Sequence, residues 1–416
     1  MTDTPEPSPR RRAAFGFIFA SALMNAVSFG IMIPILPNLI KQFTHGDTAS
    51  ASEWNVLFAS SWGLMQFFFG PILGMLSDRY GRRPVLLISI FGLFADFLFM
   101  AFAPTLWWLF LGRILNGITA SSYSTANAYV ADITAPETRA RYFGLMGSAF
   151  GFGFIIGPTI GGLLGEHNLR LPFIAAAALC LVNGLYGLFV LPESLAHEHR
   201  TPRMVWSRAN PLSSLIFLRE HGELMGLAAV SFLFQLAQNV LPTIFVLYTG
   251  YRYGWTPKIL GFTFMASGIS QILVQMFLVG PVVKRFGERG STLLGASCGT
   301  LGFLIYALAP NGAVYLTAIP IFAMVGFLQP GVMGLMSRRV GPRHQGRLQG
   351  VNQSFMGIGS IIGPPLYGLT FAWSLRHAGT PPGLAIMIAA ALLSLSFLIA
   401  LRVARPVAEL SEPAIA

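Results

Sequence analysis

Two charges stand deep inside long apolar runs, and they are the residues with the most chemistry open to them: Asp96, within the run from Phe91 to Phe99, and Arg113, in the next run. If those runs cross a bilayer, each charge costs roughly 2.5–3.5 kcal/mol on insertion scales and should face a partner or a cavity. A carboxyl in that setting can exchange its charge for a proton, which suits a proton carrier. The other reading is a neutral acid that only donates a hydrogen bond between helices. Arg113 can pair with an acid and favour its ionised state, or cap backbone carbonyls freed between helices. Amides recur in similar runs: Asn25, Gln66, Asn116, Asn127, Gln235, Gln238, Asn239 and Gln271, with Tyr123, Gln275, Gln329, Asn352 and Gln353. An amide facing lipid is costly, so these either contact a ligand or join helices. Gln235, Gln238 and Asn239, within a turn of Pro242, are the best group for a polyoxygenated or amphipathic ligand.

Enzyme chemistry finds no comparable support. There is no Gly-x-x-x-x-Gly-Lys phosphate loop, so ATP is not the expected energy source. Cys180 and Cys298 lie apart in apolar runs, without the spacing of a disulfide framework or zinc site. His197, Glu198 and His199 read as a solvated stretch rather than a metal centre.

A second cluster is charged and rich in glycine: Gly74, Asp78, Arg79, Gly81, Arg82 and Arg83. Gly74 would allow a close helix approach and Gly81 a tight turn with positive φ. Asp78 can pair with an arginine or accept backbone N–H bonds at a helix start. Such a cluster can latch one conformation and release another, or serve only as a topology signal. Further on, Gly151, Gly153, Gly157, Pro158, Gly161 and Gly162 make a glycine-rich stretch whose small residues let backbones approach. Pro158 adds a bend by removing a backbone bond.

The elements that must hold these residues follow from composition. Of 416 residues, 54% are hydrophobic and 10% charged, against about 25% charged in an ordinary soluble domain. A soluble enzyme, a disordered chain and a disulfide scaffold are excluded, and lipid must be the main solvent. About 20 apolar residues cross a bilayer as a helix. Twelve apolar segments are expected near 13–41, 55–77, 84–103, 107–131, 142–165, 171–191, 223–248, 258–283, 291–309, 313–337, 348–373 and 383–404. They form an N-terminal six-helix bundle (1–191) and a C-terminal one (223–416), with a polar linker at 192–222. The first segment follows Arg10, Arg11 and Arg12 but is too long for a cleaved signal, so it is expected to remain as a span.

The net charge of +11 does not imply nucleic acid, because the basic residues sit in short clusters between apolar runs. With both termini placed in the cytoplasm, only Lys41, Arg170, Arg252, Lys258 and Arg376 of the 27 Lys and Arg residues fall in outer loops, and Arg113 lies in a span. The halves also repeat at a single offset of 206: Gly157 and Pro158 match Gly363 and Pro364, Pro136 and Arg141 match Pro342 and Arg347, and Gly74, Arg79 and Gly81 match Gly280, Arg285 and Gly287. Parallel repeats related by an axis along the membrane normal are a transporter architecture, with the substrate site between the repeats near midplane.

The loop Gly74–Arg83 is similar to the signature of the major facilitator superfamily, Arg113 with Gly117 resembles its arginine motif, and the Gly-Pro pair at Gly157 and Pro158 resembles that of its drug/proton antiporter branch. More closely, Ile31 to Pro37, Leu76 to Leu87, Leu111 to Thr119, Arg252 to Trp255 and Leu348 to Gly350 resemble the tetracycline-resistance efflux family, over essentially the whole chain. The resemblance implies an all-α membrane protein with twelve transmembrane helices in two six-helix bundles. It implies a proton-coupled antiporter that exports a drug-like or amphipathic molecule by alternating access. Asp96 and Arg113 would serve proton coupling, while Asp132 and Arg141 would join the loop latch. Exchange would use the helix carrying Gly153, Gly157, Pro158, Gly161 and Gly162. Where the family has intramembrane aspartates in spans 1 and 9, this chain has Asn25 and Gly299.

The expected energy source is the proton gradient, with no cofactor and no metal. The expected partners are a small-molecule substrate, protons and membrane lipid, with no nucleic acid, and the chain acts as a monomer in the bacterial inner membrane. A transporter of a small polar metabolite, a membrane sensor and a channel remain the alternatives; the repeat and its latch motifs argue against a channel.

Overall fold

Backbone groups in lipid find no water, so an apolar run can cross only by satisfying its hydrogen bonds internally, as a helix. The computed structural model describes residues 9–119, 122–134, 138–201, 218, 222–340 and 345–404. Among them the regular structure is helical, without a strand. The first half contains α1 (Pro9–Met32), α2 (Leu36–Phe43), α3 (Thr48–Tyr80), α4 (Arg82–Phe102), α5 (Leu106–Thr119), α6 (Ser122–Ile133), α7 (Arg139–His167) and α8 (Leu171–Val190). The second contains α9 (Met225–Gln238), α10 (Val240–Tyr253), α11 (Pro257–Leu273), α12 (Val279–Leu308), α13 (Gly312–Ala323), α14 (Leu328–Arg339), α15 (Gln345–Pro364), α16 (Thr370–Arg376) and α17 (Leu384–Val403).

Among the described residues, 10 helices are long and apolar enough to cross a membrane. The longest candidate, Pro257–Leu308, covers two expected segments, divided at Gly287, whose backbone is not helical (φ 69°, ψ 178°). The fourth segment corresponds to α5 and α6 on either side of residues 120–121. The expected set of twelve is thereby accounted for. Several spans are interrupted where the sequence removes a donor. Pro34 and Pro37 separate α1 from α2, and Asn239 with Pro242 separates α9 from α10. Wide turns at Val274–Leu278 and Pro365–Leu369 loosen two further spans.

The chain divides into two compact units: Met1–Pro211 with Gly254–Gly268, and Leu212–Tyr253 with Ile269–Ala416. In the first, α1 packs on α7 and α8, α4 on α5 and α8, and α3 on α5. In the second, α12 packs on α14 and α17, and α9 on α15 and α17. Large apolar side chains such as Phe102, Phe189 and Met276 are exposed, while Asp96, Arg113 and Asn183 are buried. That is the inverse of a water-soluble protein and what a hydrocarbon solvent requires.

Candidate functional site

Asp96 and Arg113 meet. Asp96 lies on α4 with 0% of its surface exposed, and Arg113 on α5 with 4%. Arg113 Nη2 donates to Asp96 Oδ2 in an ion pair. Glycines make the approach possible. A Cβ at Gly112 would stand 2.8 Å from Asp96 Oδ1, and one at Gly92 would collide with Thr119. The pair is incompletely satisfied, since among the described residues Asp96 Oδ1 and Arg113 Nε have no hydrogen-bond partner. Each charge finds its partner in the other, as its cost in an apolar span demands. A proton on Asp96 would cancel that pairing and free Arg113, so this contact can couple protonation to the α4–α5 packing.

The loop cluster is built on Gly81, which ends α3 at φ +109° and ψ 163°, backbone open essentially to glycine alone. Arg82, the first residue of α4, turns back to pair with Asp78 and reaches Asp132 through Nε at 3.0 Å. Its Nη1 also donates to Ser77 Oγ at 3.2 Å. Ser194 Oγ donates to Asp132 Oδ2 at 3.0 Å. Glu193 completes the cluster: its carboxylate accepts from the backbone N–H of Arg82 at 2.8 Å and of Arg83 at 3.2 Å. It serves as the N-terminal cap that Gly81 cannot supply, at the end of α4 where a negative charge is favoured.

Two details of the sequence reading need correction here. Among the described residues no atom lies within 4 Å of a Cβ at Gly74, so Gly74 makes no close helix contact there. Arg79 is exposed and lies over the Tyr80 ring, outside the cluster. The side chain of Arg141 falls outside the described residues.

The glycine face of α7 does make close contacts. A Cβ at Gly153 would strike Ala26, one at Gly157 the backbone of Val27 and Gly30, and one at Gly161 the carbonyl of Ile31. Pro158 abuts Gly30. The spacing of four residues puts these contacts in one row against α1. Gly162 faces the other way, onto Pro257 and Gly261, which belong to the same compact unit.

The amides divide by environment. Asn25, half-buried on α1, is held by Asn183, while Asn116 is buried and accepts from Trp62 Nε1 at 2.6 Å, joining α5 to α3. Gln66 and Asn127 are half-buried in the same unit. In the second unit Asn239 donates to the carbonyl of Gln235 at 2.8 Å and fills the space left by Gly359 and Gly363, so it packs between helices. Gln235 and Gln238 are half-buried nearby, and Gln271 Nε2 would lie 2.9 Å from a Cβ at Gly326. A Cβ at Gly299 would stand 2.5 Å from Val325 Cγ2 and 2.8 Å from Leu393 Cδ1, so an acid there would have no room.

Sequence reasoning missed Asn183 and Glu193. Asn183 was legible as the lone amide in the eighth helix; the capping role of Glu193 gave no local signal, because the N–H groups it caps, of Arg82 and Arg83, are more than a hundred positions away.

Two units of membrane-length helices, with an ion pair at matching positions in each (Arg82 with Asp132, Glu288 with Arg338), define a class: polytopic transporters built from a duplicated bundle. The sequence model of the Major Facilitator Superfamily matches residues 18–364 and again 227–414. A class C tetracycline resistance protein of Escherichia coli is 40% identical over 90% of this chain and 93% of its own. Multidrug resistance protein 2 of Bacillus subtilis is 26% identical, covering 88% of this chain and 91% of its own. The crystal structure of the nucleoside transporter NupG superposes with a TM-score of 0.78 at 15% identity, over 95% of this chain and 100% of that one, which is a likeness of fold. The chain belongs to the major facilitator superfamily, alongside the tetracycline resistance proteins. It is a multi-pass membrane protein whose relatives are transporters rather than enzymes.

Proposed function

We propose that this chain is a proton-coupled antiporter that exports a drug-like or amphipathic small molecule of the tetracycline type by alternating access. The observation that carries this reading is the buried pair of Asp96 and Arg113. An ion pair that gains little from its surroundings is weak evidence for stability alone. It is well suited to a residue that must take up and release a proton. Protonated Asp96 no longer holds Arg113, and the freed guanidinium changes the packing of α4 on α5. The clasp of Asp78, Arg82 and Asp132 latches one conformation, and the Gly153–Gly157–Gly161 row of α7 lets α1 slide against it. The energy source is the proton gradient, with no cofactor or metal. One chain carries both repeats, so a monomer suffices. Its membrane is the bacterial inner membrane, and the distribution of Lys and Arg supports cytoplasmic termini. Substrate-facing amides would come from Asn25, Gln66 and Asn127 in one unit, and Gln235, Gln238 and Gln271 in the other.

The test is pH-gradient-driven uptake of tetracycline into inverted vesicles. Wild type accumulates it, and Asp96→Asn abolishes accumulation. Removing one partner of a buried pair costs about 3–5 kcal/mol, so Asp96→Asn/Arg113→Gln, which leaves no charge unpaired, serves as the folded control. Gradient-driven uptake by either variant at the wild-type rate would exclude Asp96 as the coupling acid, and uptake that ignores the gradient would exclude antiport.

A further inference from the structure

An open apolar groove of about 410 Å³ runs beside the last turns of α4. It is lined by Leu98, Phe99 and Phe102 of α4, by Trp108 of α5, and by Ala103 and Pro104 in the turn between them. That volume falls within the range of ligand sites, about 300–1,000 Å³. Phe99 and Trp108 stack with centroids 5.6 Å apart and brace the two helices at this level. Phe102, Trp107 and Trp108 are exposed at the end of a span, where tryptophan marks the boundary between lipid headgroups and chains. The groove therefore lies at that boundary, on the side of the membrane opposite the Gly74–Arg83 loop.

A cation stands at the same helix end. Arg170, the residue before α8, donates through Nη1 to the carbonyl of Ala101 at 3.1 Å and through Nη2 to that of Ala103 at 2.9 Å. It caps the last carbonyls of α4, and Ala103 is itself a residue of the groove. A guanidinium carries five N–H groups, and among the described residues no carboxylate pairs with this one. The Phe43 ring, 5.9 Å away, adds an aromatic face without a negative charge. The second unit shows that a cap alone needs less. There Arg252 donates from Nε and Nη2 to the carbonyl of Ala309, which matches Ala103 at the offset of 206. Leu301, Ile305 and Val314 then stand where the first unit has Ala95, Phe99 and Trp108. Small and aromatic residues beside an arginine cap are thus particular to the end of α4.

We propose that this groove binds a phospholipid of net negative charge, with an acyl chain along Leu98, Phe99 and Trp108 and its phosphate at Arg170. A guanidinium matches phosphate oxygens in charge and geometry, and it already sits at headgroup depth. A zwitterionic lipid brings its own cation to compete with Arg170, so the site prefers a headgroup without one. With the termini in the cytoplasm, as proposed above, the bound lipid belongs to the outer leaflet. The site stands apart from whatever molecule is transported.

Tryptophan quenching by brominated chains tests it, with full-length protein in phosphatidylcholine vesicles. The probes are dioleoyl phosphatidylglycerol and dioleoyl phosphatidylcholine, each brominated on its chains. The signal of the groove is the quenching present in wild type and lost in Trp108→Phe. In wild type, phosphatidylglycerol reaches half of its full effect at about a tenfold lower mole fraction than phosphatidylcholine, the worth of one charge-assisted hydrogen bond. Arg170→Gln, checked for folding by its melting temperature, brings the two lipids level. Ala95→Phe fills the groove with Arg170 still in place and also removes the preference. Equal half-points in wild type, a preference that survives either variant, or no quenching through Trp108 by either lipid overturns the proposal. Should Arg170→Gln fail to fold, Ala95→Phe decides.

Discussion

The two halves carry the same cluster at positions 206 apart, yet they build it with opposite charges and very different support. In the first unit Arg82 pairs with Asp132; at the matching positions of the second unit Glu288 accepts from Arg338 Nε at 2.8 Å. The polarity is reversed, but the geometry, from the start of one span to the end of the next, is kept. Around Arg82 stand Asp78, Ser77, Ser194 and Glu193, whereas the position matching Asp78 is Lys284 and that matching Glu193 is Ile399. The Arg338 side chain is 70% exposed, against 12% for Arg82. A duplicated loop has thus kept an ion pair in both copies and a network in one. Partly buried, multiply bonded charges hold a conformation, while an exposed pair contributes about 0–1 kcal/mol.

The sharpest break of the comparison is at its two glycines. Gly81 (φ +109°) and Gly287 (φ +69°) both occupy backbone that side chains rarely adopt. Among the described residues an added Cβ at Gly287 meets nothing within 4 Å, but one at Gly81 collides with the Glu193 carboxylate. Gly287→Ala is expected to cost about 1–3 kcal/mol for backbone strain alone. Gly81→Ala should cost about 3 kcal/mol or more and displace Glu193 as well. Melting temperatures of the two variants in detergent provide the check; equal losses would mean that Glu193 is not seated where the structure has it.

How much of this could be read beforehand differs by kind of contact. The helices were legible because apolar runs in lipid admit no other structure, and Asp96 and Arg113 because any charge inside such a run must be explained. That they pair with each other was open in the sequence, since spacing along two antiparallel helices does not reveal which faces meet. Close packing by the glycine-rich stretch of α7 was legible from its small residues, although the row that makes it, Gly153–Gly157–Gly161, and its partner, α1, were not. Gly74 belongs to the same motif as Gly81 but packs against nothing among the described residues, because a motif does not say which glycine is needed for space. Glu193 and Asn183 stayed hidden for the same reason: their roles come from residues more than a hundred positions away, brought close only by helix packing.

Glu193 is the next point at which the two clusters can be made alike. Its carboxylate also accepts from the backbone N–H of Ser194 at 3.0 Å and Leu195 at 3.1 Å, so it orders its own turn as well as the start of α4. Glu193→Ala should destabilise the protein by about 1–2 kcal/mol, the usual loss of a helix cap. In that background Gly81→Ala should recover the part of its cost that came from collision, leaving a cost close to that of Gly287→Ala. A double-mutant cycle on melting measures the coupling, since only residues in contact depart from additivity. Additive losses would separate Glu193 from Gly81 and reduce the contrast between the units to exposure.

The smallest expected effect lies at the exposed pair. Arg338→Ala removes one hydrogen bond to Glu288 from a side chain already largely in solvent, and its cost should stay below about 1 kcal/mol. Raised salt should erase even that difference, because exposed charges are screened within about 10 Å at 0.1 M ionic strength. The first unit's cluster, with its charges held against backbone N–H groups, should be much less sensitive to salt. Melting of Arg338→Ala and Glu193→Ala beside wild type at low and high salt tests both statements together. If the Arg338 variant lost as much as the Glu193 variant at both salt levels, exposure would not be what distinguishes the two copies. The second cluster would then hold its conformation as firmly as the first, by a single pair of reversed sign.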